Sequence, residues 1–322
     1  MSKTQEAIER LEPQTRKFID SLAGATPIYT LSPEEARGVL AGAQKSVEVT
    51  LAPADVEDRT LDIGPTGKTK IRIYRPQGVQ AARPAVIYAH GGGWILGDVE
   101  THERLVRELT AATGAVFVFV DYERSPEARY PVAVEQIYAT LDYVAAHPEE
   151  FGVDASRLAV AGDSVGGNMA AVTAILAKER GGPKLAAQVL AYPVTDASMS
   201  SASYQDFADG PWLTKPAMTW FWDAYLPEVE KRADIHVSPL NADAATLSGL
   251  PQALVVVDEN DVLRDEGEAY ARKLSEAGVS VTAVRYNGTI HDFLLLNPIA
   301  GTPATRAAVD QAVGYLKKVL AS

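Results

Sequence analysis

The spacing of apolar positions changes several times along the chain. Ile8, Leu11, Phe18, Ile19 and Leu22 recur at helical intervals, which predicts a helix over residues 5–22. Ser32-Pro33-Glu34-Glu35 opens a second helix with an N-cap residue, a proline in the first turn and two first-turn acids. Residues 47–51 and 70–74 then predict strands. The run Ala85-Val86-Ile87-Tyr88-Ala89 is continuously apolar, as in a strand buried on both faces.

From there the two periods alternate. A helix over 103–112 is followed by a strand over 115–120, a helix over 132–146, a strand over 158–161, a helix over 168–178 and a strand over 186–191. The alternation stops between residues 195 and 249, where Ser, Asp and aromatic residues predominate and Trp212, Trp220, Phe221, Trp222 and Tyr225 cluster around one helical stretch. It resumes with a strand over 253–258, a helix over 267–277, a strand over 279–286 and a closing helix over 304–321. This order predicts an α/β fold with a mostly parallel central sheet flanked by helices, interrupted by an inserted lid. No internal repeat or low-complexity tract is present.

Composition narrows the partners. A chain of 322 residues with 47% hydrophobic and 22% charged content can bury a large core, and its formal charge of -12 repels nucleic acid and anionic membrane surfaces. The absence of cysteine removes disulfides, thiolate nucleophiles and thiolate metal sites together. The first seventeen residues are too densely charged for a signal-peptide core, and no stretch reaches the roughly 20 apolar residues of a spanning helix. A cytoplasmic protein without stable membrane association is expected.

The chemistry is concentrated in three places. Gly162-Asp163-Ser164-Val165-Gly166 has the form of a tight turn that exposes a serine nucleophile. Alone the pentapeptide is modest evidence, because it arises by chance in roughly one chain of this length in ten. Its position between a strand and a helix strengthens it. His90-Gly91-Gly92-Gly93-Trp94 ends an apolar strand with three glycines whose N–H groups are free to meet a developing oxyanion. It lacks the spacing and the Lys-Ser/Thr ending of phosphate-binding loops.

Of five histidines, His291 alone follows the last strand, which makes it the candidate base for Ser164. An unperturbed imidazole would then give activity rising through roughly pH 6 to 7. The acid that orients the base should lie between them, and Asp258, Glu259, Asp261, Asp265 and Glu266 are the candidates. Asp258 reads as strand end and Asp265-Glu266 as first-turn acids, so Asp261, free in the loop, is preferred. Asp292 adjoins His291 and is expected to point elsewhere.

Together these strings, with Asp261-Val262-Leu263-Arg264-Asp265-Glu266-Gly267 and Ile290-His291-Asp292-Phe293, resemble the bacterial hormone-sensitive-lipase family of carboxylesterases, family IV. Residues 171–183, Val120-Asp121-Tyr122 and Ser125-Pro126-Glu127 are similar to that family as well. The resemblance implies an α/β-hydrolase fold and hydrolysis of short- to medium-chain acyl esters without cofactor or metal, through an acyl-enzyme. It also selects Asp261 as the acid. It implies a helical cap made of residues 1–52 and 196–249 over a core of residues 53–195 and 250–322. The oxyanion would be held by the N–H groups of Gly92, Gly93 and Val165. Trp94, Trp212, Trp220 and Phe221 are candidate substrate contacts, and a homodimer paired through an exposed sheet edge is expected.

The chain departs from the family at four positions: Val165 for the usual Ala, Val262 for Pro, Asp292 for Gly and Glu123 for Arg. The last unsettles any ion pair behind the glycine loop. Other readings of the same motifs are an amidase or lactonase using the same triad, and a small-molecule-binding protein on the same fold.

Overall fold

The first helical pattern is interrupted at Pro13. The computed structural model, described for residues 3–78 and 81–321, has two helices there, α1 (Lys3–Arg10) and α2 (Pro13–Ser21). Proline offers no N–H to an interior turn but fits the first turn of a new helix, so the chain restarts at Pro13. Residues 1, 2 and 322, at the ends of the expected cap and core segments, lie outside the described residues. The next helix, α3 (Pro33–Lys45), begins at the expected Ser32, whose Oγ accepts from Glu35 N at 3.3 Å while the Glu35 carboxylate accepts from Ser32 N at 2.9 Å.

The strand expected over 47–51 does not form. The first strand is β1 (Asp55–Leu61), paired antiparallel with β2 (Thr69–Arg75) from Asp55↔Arg75 to Leu61↔Thr69. Its sequence, DVEDRTL, carries charge because it is an edge strand with one neighbour. Across the pair, Arg75 donates to Glu57 at 2.8 Å and Arg72 to Asp58 at 2.6 Å. Such charges discourage pairing with a further strand, and they also hide the apolar alternation that would have marked β1.

The remaining strands are β3 (Arg83–Ala89), β4 (Val116–Asp121), β5 (Val153–Asp163), β6 (Ala187–Ala191), β7 (Gln252–Asn260) and β8 (Val281–Ile290). Their order in the sheet is β1-β2-β4-β3-β5-β6-β7-β8. β2 is antiparallel to both neighbours, and β4, β3, β5, β6, β7 and β8 run parallel. The expected parallel α/β sheet is therefore present, with helices α4 (Glu103–Thr113), α5 (Val132–Ala146), α6 (Pro148–Phe151) and α7 (Val165–Glu179) along its first half. The helices that follow are α8 (Ala202–Asp206), α9 (Lys215–Tyr225), α10 (Ala244–Leu247), α11 (Arg264–Glu276) and α12 (Pro303–Val319). α4 packs on α12 and α5 on α7. Every residue of α7 from Val165 to Ala177 is buried, as its largely small and apolar side chains dictate, and the polar Asn168 donates to the Val194 and Val237 carbonyls at 2.9 Å each.

The segment between β6 and β7 is anchored at its start by Glu266 of α11, whose Oε1 accepts from Thr195 N at 2.6 Å and Asp196 N at 3.1 Å. It meets the N-terminal helices directly. The Phe18 and Trp212 rings lie 5.5 Å apart, Lys3 pairs with Asp206, and α9 packs on the turn at Ile28–Thr30. Among the described residues no helix is long and apolar enough to cross a membrane.

Candidate active site

Parallel strands leave their carboxyl ends on one edge of the sheet, where connecting loops can converge. The loops after β3, β5, β7 and β8 bring His90 to Gly93, Ser164, Asp261 and His291 to that edge.

Ser164 sits at the turn from β5 into α7 with φ 55° and ψ -119°, a conformation L residues rarely hold. The turn closes tightly because its flanking positions are glycine. A Cβ on Gly166 would lie 2.0 Å from the Ala89 carbonyl oxygen, so only hydrogen fits between the turn and β3. Ser164 Oγ lies 2.9 Å from His291 Nε2, and His291 Nδ1 lies 2.8 Å from Asp261 Oδ2. Because the carboxylate only accepts, Nδ1 carries the proton and the neutral ring presents Nε2 as an acceptor to the Ser164 hydroxyl. Asp261 is itself fixed by Leu263 N, which donates to Oδ1 at 3.0 Å.

The other candidate acids are occupied elsewhere. Glu259 accepts from Gly288 N at 2.7 Å, Asp265 from Ser203 N at 2.8 Å, and Glu266 holds the start of the insertion. Asp258 is buried with its Oδ2 3.9 Å from His291 Nδ1, beyond hydrogen-bond reach. Burial, then the neighbouring Asp261, pushes its carboxyl well above the usual range, which favours its neutral form. Asp258, Asp261 and His291 place three potential metal ligands within 4.8 Å, yet the His291 nitrogens are already directed at Asp261 and Ser164.

Burial would by itself lower the His291 pKa, but the carboxylates of Asp261 and then Asp292 outweigh it and raise the pKa to about 9. The competent base is the neutral ring. kcat/KM should therefore rise with pH toward that region and not be complete by about pH 7, as an unperturbed imidazole would give. Initial rates on a p-nitrophenyl ester across roughly pH 5 to 10 check this, and a plateau reached by about pH 7 would contradict it.

The glycine loop is held from behind by residues to which the sequence motifs assigned no role. Asp163, beside the serine and fully buried, accepts from Gly91 N at 3.1 Å and Tyr88 Oη at 2.8 Å, and its Oδ2 lies 3.2 Å from His102 Nε2. Burial opposes its charge, but His102 and Tyr88 hold its pKa below the ordinary value. His90 is no competing base: burial, reinforced by His102, drops its pKa to about 3, and its ring stacks 4.0 Å from that of Tyr122. Sequence gave no signal for this network beyond the polar residues Asp163 and His102 near apolar runs. Glu123 turns away to Gln136, whose Nε2 donates to it at 2.9 Å, while Arg124 donates to the Gly97 carbonyl at 2.8 Å.

Among the described residues, the N–H groups of Gly92 and Gly93 have no protein acceptor, and Val165 is the first residue of α7, where an N–H lacks an intrahelical partner. Three backbone donors are thus without a protein acceptor, one of them on the residue that follows Ser164. The ring of Phe221 lies against Gly93, where a Cβ would come within 2.2 Å of it. Trp220 is partly exposed beside Phe221, with ring centroids 5.3 Å apart. Trp94, expected to touch substrate, is instead fully buried, stacked on Tyr225 at 4.1 Å and tilted against Trp222 at 4.6 Å. A side chain with no exposed surface packs the insertion onto the core and cannot wall an open site.

Asp292 also departs from expectation. Its φ of 66° turns the side chain back toward the base, with Oδ1 3.6 Å from His291 Nε2 and Oδ2 accepting from Trp212 Nε1 at 2.9 Å. The left-handed backbone at this position reverses the usual divergence of adjacent side chains.

A family model described as the alpha/beta hydrolase fold matches residues 86–295. The carboxylesterase NlhH of Mycobacterium tuberculosis is 38% identical over 269 residues, 82% of this chain and 83% of that protein. The ethyl acetate hydrolase of Pseudomonas putida is 35% identical over 282 residues, 85% and 86% of the two chains. A crystal structure of a thermostable esterase from Pseudomonas putida superimposes with a TM-score of 0.94 and 52% identity, covering 97% of this chain and 98% of that one.

Proposed function

The chain belongs to the hormone-sensitive-lipase-like branch of the α/β-hydrolase fold family, and from that premise we propose that Ser164, His291 and Asp261 are its catalytic triad. The protein is a serine carboxylic ester hydrolase acting on small-molecule esters. The observation that carries the residue assignment is the unbroken chain of contacts from Ser164 Oγ to His291 Nε2 at 2.9 Å and from His291 Nδ1 to Asp261 Oδ2 at 2.8 Å.

Ser164 Oγ attacks the ester carbonyl as His291 Nε2 takes its proton, and negative charge develops on the carbonyl oxygen. The N–H groups of Gly92, Gly93 and Val165 stabilise that charge without reorganising, because the loop is already fixed by Asp163. His291 returns the proton to the leaving alcohol, and water repeats the sequence on the acyl-enzyme.

Acyl groups of short to medium length are the proposed substrates. Ser164 is only 4% exposed and Phe221 crowds Gly93, which favours compact acyl chains. The relative named for ethyl acetate hydrolysis supports the same size class. Residues 1–52 and 196–249 form the proposed cap over residues 53–195 and 250–322, supported by the contact between Phe18 and Trp212. Trp212, Trp220 and Phe221 are its proposed substrate contacts. A cytoplasmic location, and a homodimer joined along the outer edge of β8, complete the proposal.

A panel of p-nitrophenyl esters tests specificity: kcat/KM is expected to be highest for acyl chains of about two to eight carbons and to fall at least roughly tenfold by about twelve. A fluorophosphonate probe should add its mass at Ser164. No labelling at high probe concentration would favour a binding protein on this fold.

A further inference from the structure

Asp292 has an oxygen for which the resting site provides no donor. The residue is 9% exposed, and its Oδ1 is buried without a hydrogen-bond partner. Oδ2 is pinned by the Trp212 indole at 2.9 Å, so the direction of Oδ1 is fixed by the inserted segment. The backbone bears a φ of 66° to hold a carboxylate there, a conformation that glycine alone adopts freely. An unpaired buried acceptor and a strained backbone are both unfavourable in the free protein. Together they point to a ligand that supplies the missing donor.

Position says which part of the ligand. The leaving group must approach His291 Nε2 closely to receive its proton. Oδ1 lies 3.6 Å from that nitrogen, too far to hydrogen-bond it, while Ser164 Oγ occupies the 2.9 Å position. The carboxylate therefore flanks the path of the leaving atom. An ester oxygen carries no hydrogen to offer there. An amide nitrogen does, and when its lone pair turns toward His291 the remaining hydrogen must find an acceptor among buried side chains.

We propose that Asp292 Oδ1 accepts the N–H of a leaving amine, so that the Ser164 site also hydrolyses secondary amides of the acyl groups it accepts as esters. The proposal rests on the triad assigned above. The Ser164 Oγ–carbon bond forms as the hydroxyl proton passes to His291. The carbon–nitrogen bond then breaks as that proton moves to the amine, whose own hydrogen stays on nitrogen and bonded to Oδ1 throughout. Water hydrolyses the acyl-serine, and no other reactant is required.

The test pairs p-nitrophenyl butyrate with N-(4-nitrophenyl)butyramide, which share an acyl group. The wild-type protein should hydrolyse the anilide, and Ser164→Ala should not. In Asp292→Asn the side-chain oxygen is claimed by Trp212, which turns an NH2 donor toward the leaving group. The anilide-to-ester ratio of kcat/KM should then fall by about tenfold or more, the loss expected for one charge-assisted hydrogen bond. Asp292→Gly, which relieves the strained φ and removes the acceptor, should lower the ratio likewise and serves if the asparagine variant folds poorly. An unchanged ratio in these variants would mean that Asp292 only balances the charge of His291, and it overturns the proposal. So does a wild-type protein that cleaves the ester but not the anilide. Failure to cleave the ester would instead count against the triad.

Discussion

Replacing Ser164 by alanine is expected to lower kcat on an activated ester by a factor on the order of 10^5 to 10^6, with the fold unchanged. The variant loses only Oγ, the atom 2.9 Å from His291 Nε2. Its backbone partners remain: Ser164 N still donates to the Ala191 carbonyl at 2.8 Å, and the Ser164 carbonyl still accepts from Asn168 N at 3.1 Å. Alanine and serine bear the φ of 55° at similar cost, so no strain is added or released. Steady-state rates alongside thermal melts separate the two effects. A melting temperature within a few degrees of wild type is expected, since only one buried hydroxyl contact is lost. More than about one per cent residual activity, in protein confirmed by mass to carry alanine, would remove Ser164 from the nucleophile's role.

Asp261→Asn is expected to cost about 10^4 in kcat, close to 5.5 kcal/mol of transition-state stabilisation. Asparagine can keep its oxygen on Leu263 N, where Asp261 Oδ1 now accepts at 3.0 Å. Its NH2 then faces His291 Nδ1, and the ring must take the tautomer with its proton on Nε2. That tautomer cannot accept the Ser164 proton. Asp258→Asn is the necessary control, because its carboxyl lies 3.9 Å from the same nitrogen. Asp258 makes no hydrogen bond to His291 and burial favours its neutral form, so an uncharged isostere there should cost much less. Equal losses in both variants would assign the acid to the pair; a larger loss at Asp258 would move it there.

The candidate site was legible where chemistry depends on short, contiguous strings. Gly162 to Gly166 and His90 to Gly93 announce themselves because a tight turn and a bare backbone demand glycine at fixed spacing. Sequence placed Asp261 in a loop by excluding strand and first-turn positions, with the family resemblance selecting it, and the structure brings its carboxylate to 2.8 Å from His291. Asp292 was misjudged because its direction depends on a φ of 66° and on Trp212, eighty residues away, and neither is written in the local sequence. Trp94 was misjudged for the opposite reason. An aromatic residue beside a glycine loop suggests a pocket wall, but α9 covers it with Trp222 and Tyr225.

Sequence by itself determined the element alternation, the parallel sheet and the identity of the strand-end motifs, because period and turn chemistry act over a few residues. It failed at β1, whose charged edge carries no apolar period, and at Pro13, where one ring divides a helix. Tertiary structure alone decided the electrical setting of the site. Burial around Asp163, Asp258, His291 and Asp292 strengthens charges carried at the ends of β5, β7 and β8 and in the segment after β3, and these meet only when the parallel strands bring their ends to one edge. Electrostatics depends on distance through space and on the exclusion of water, and folding sets both.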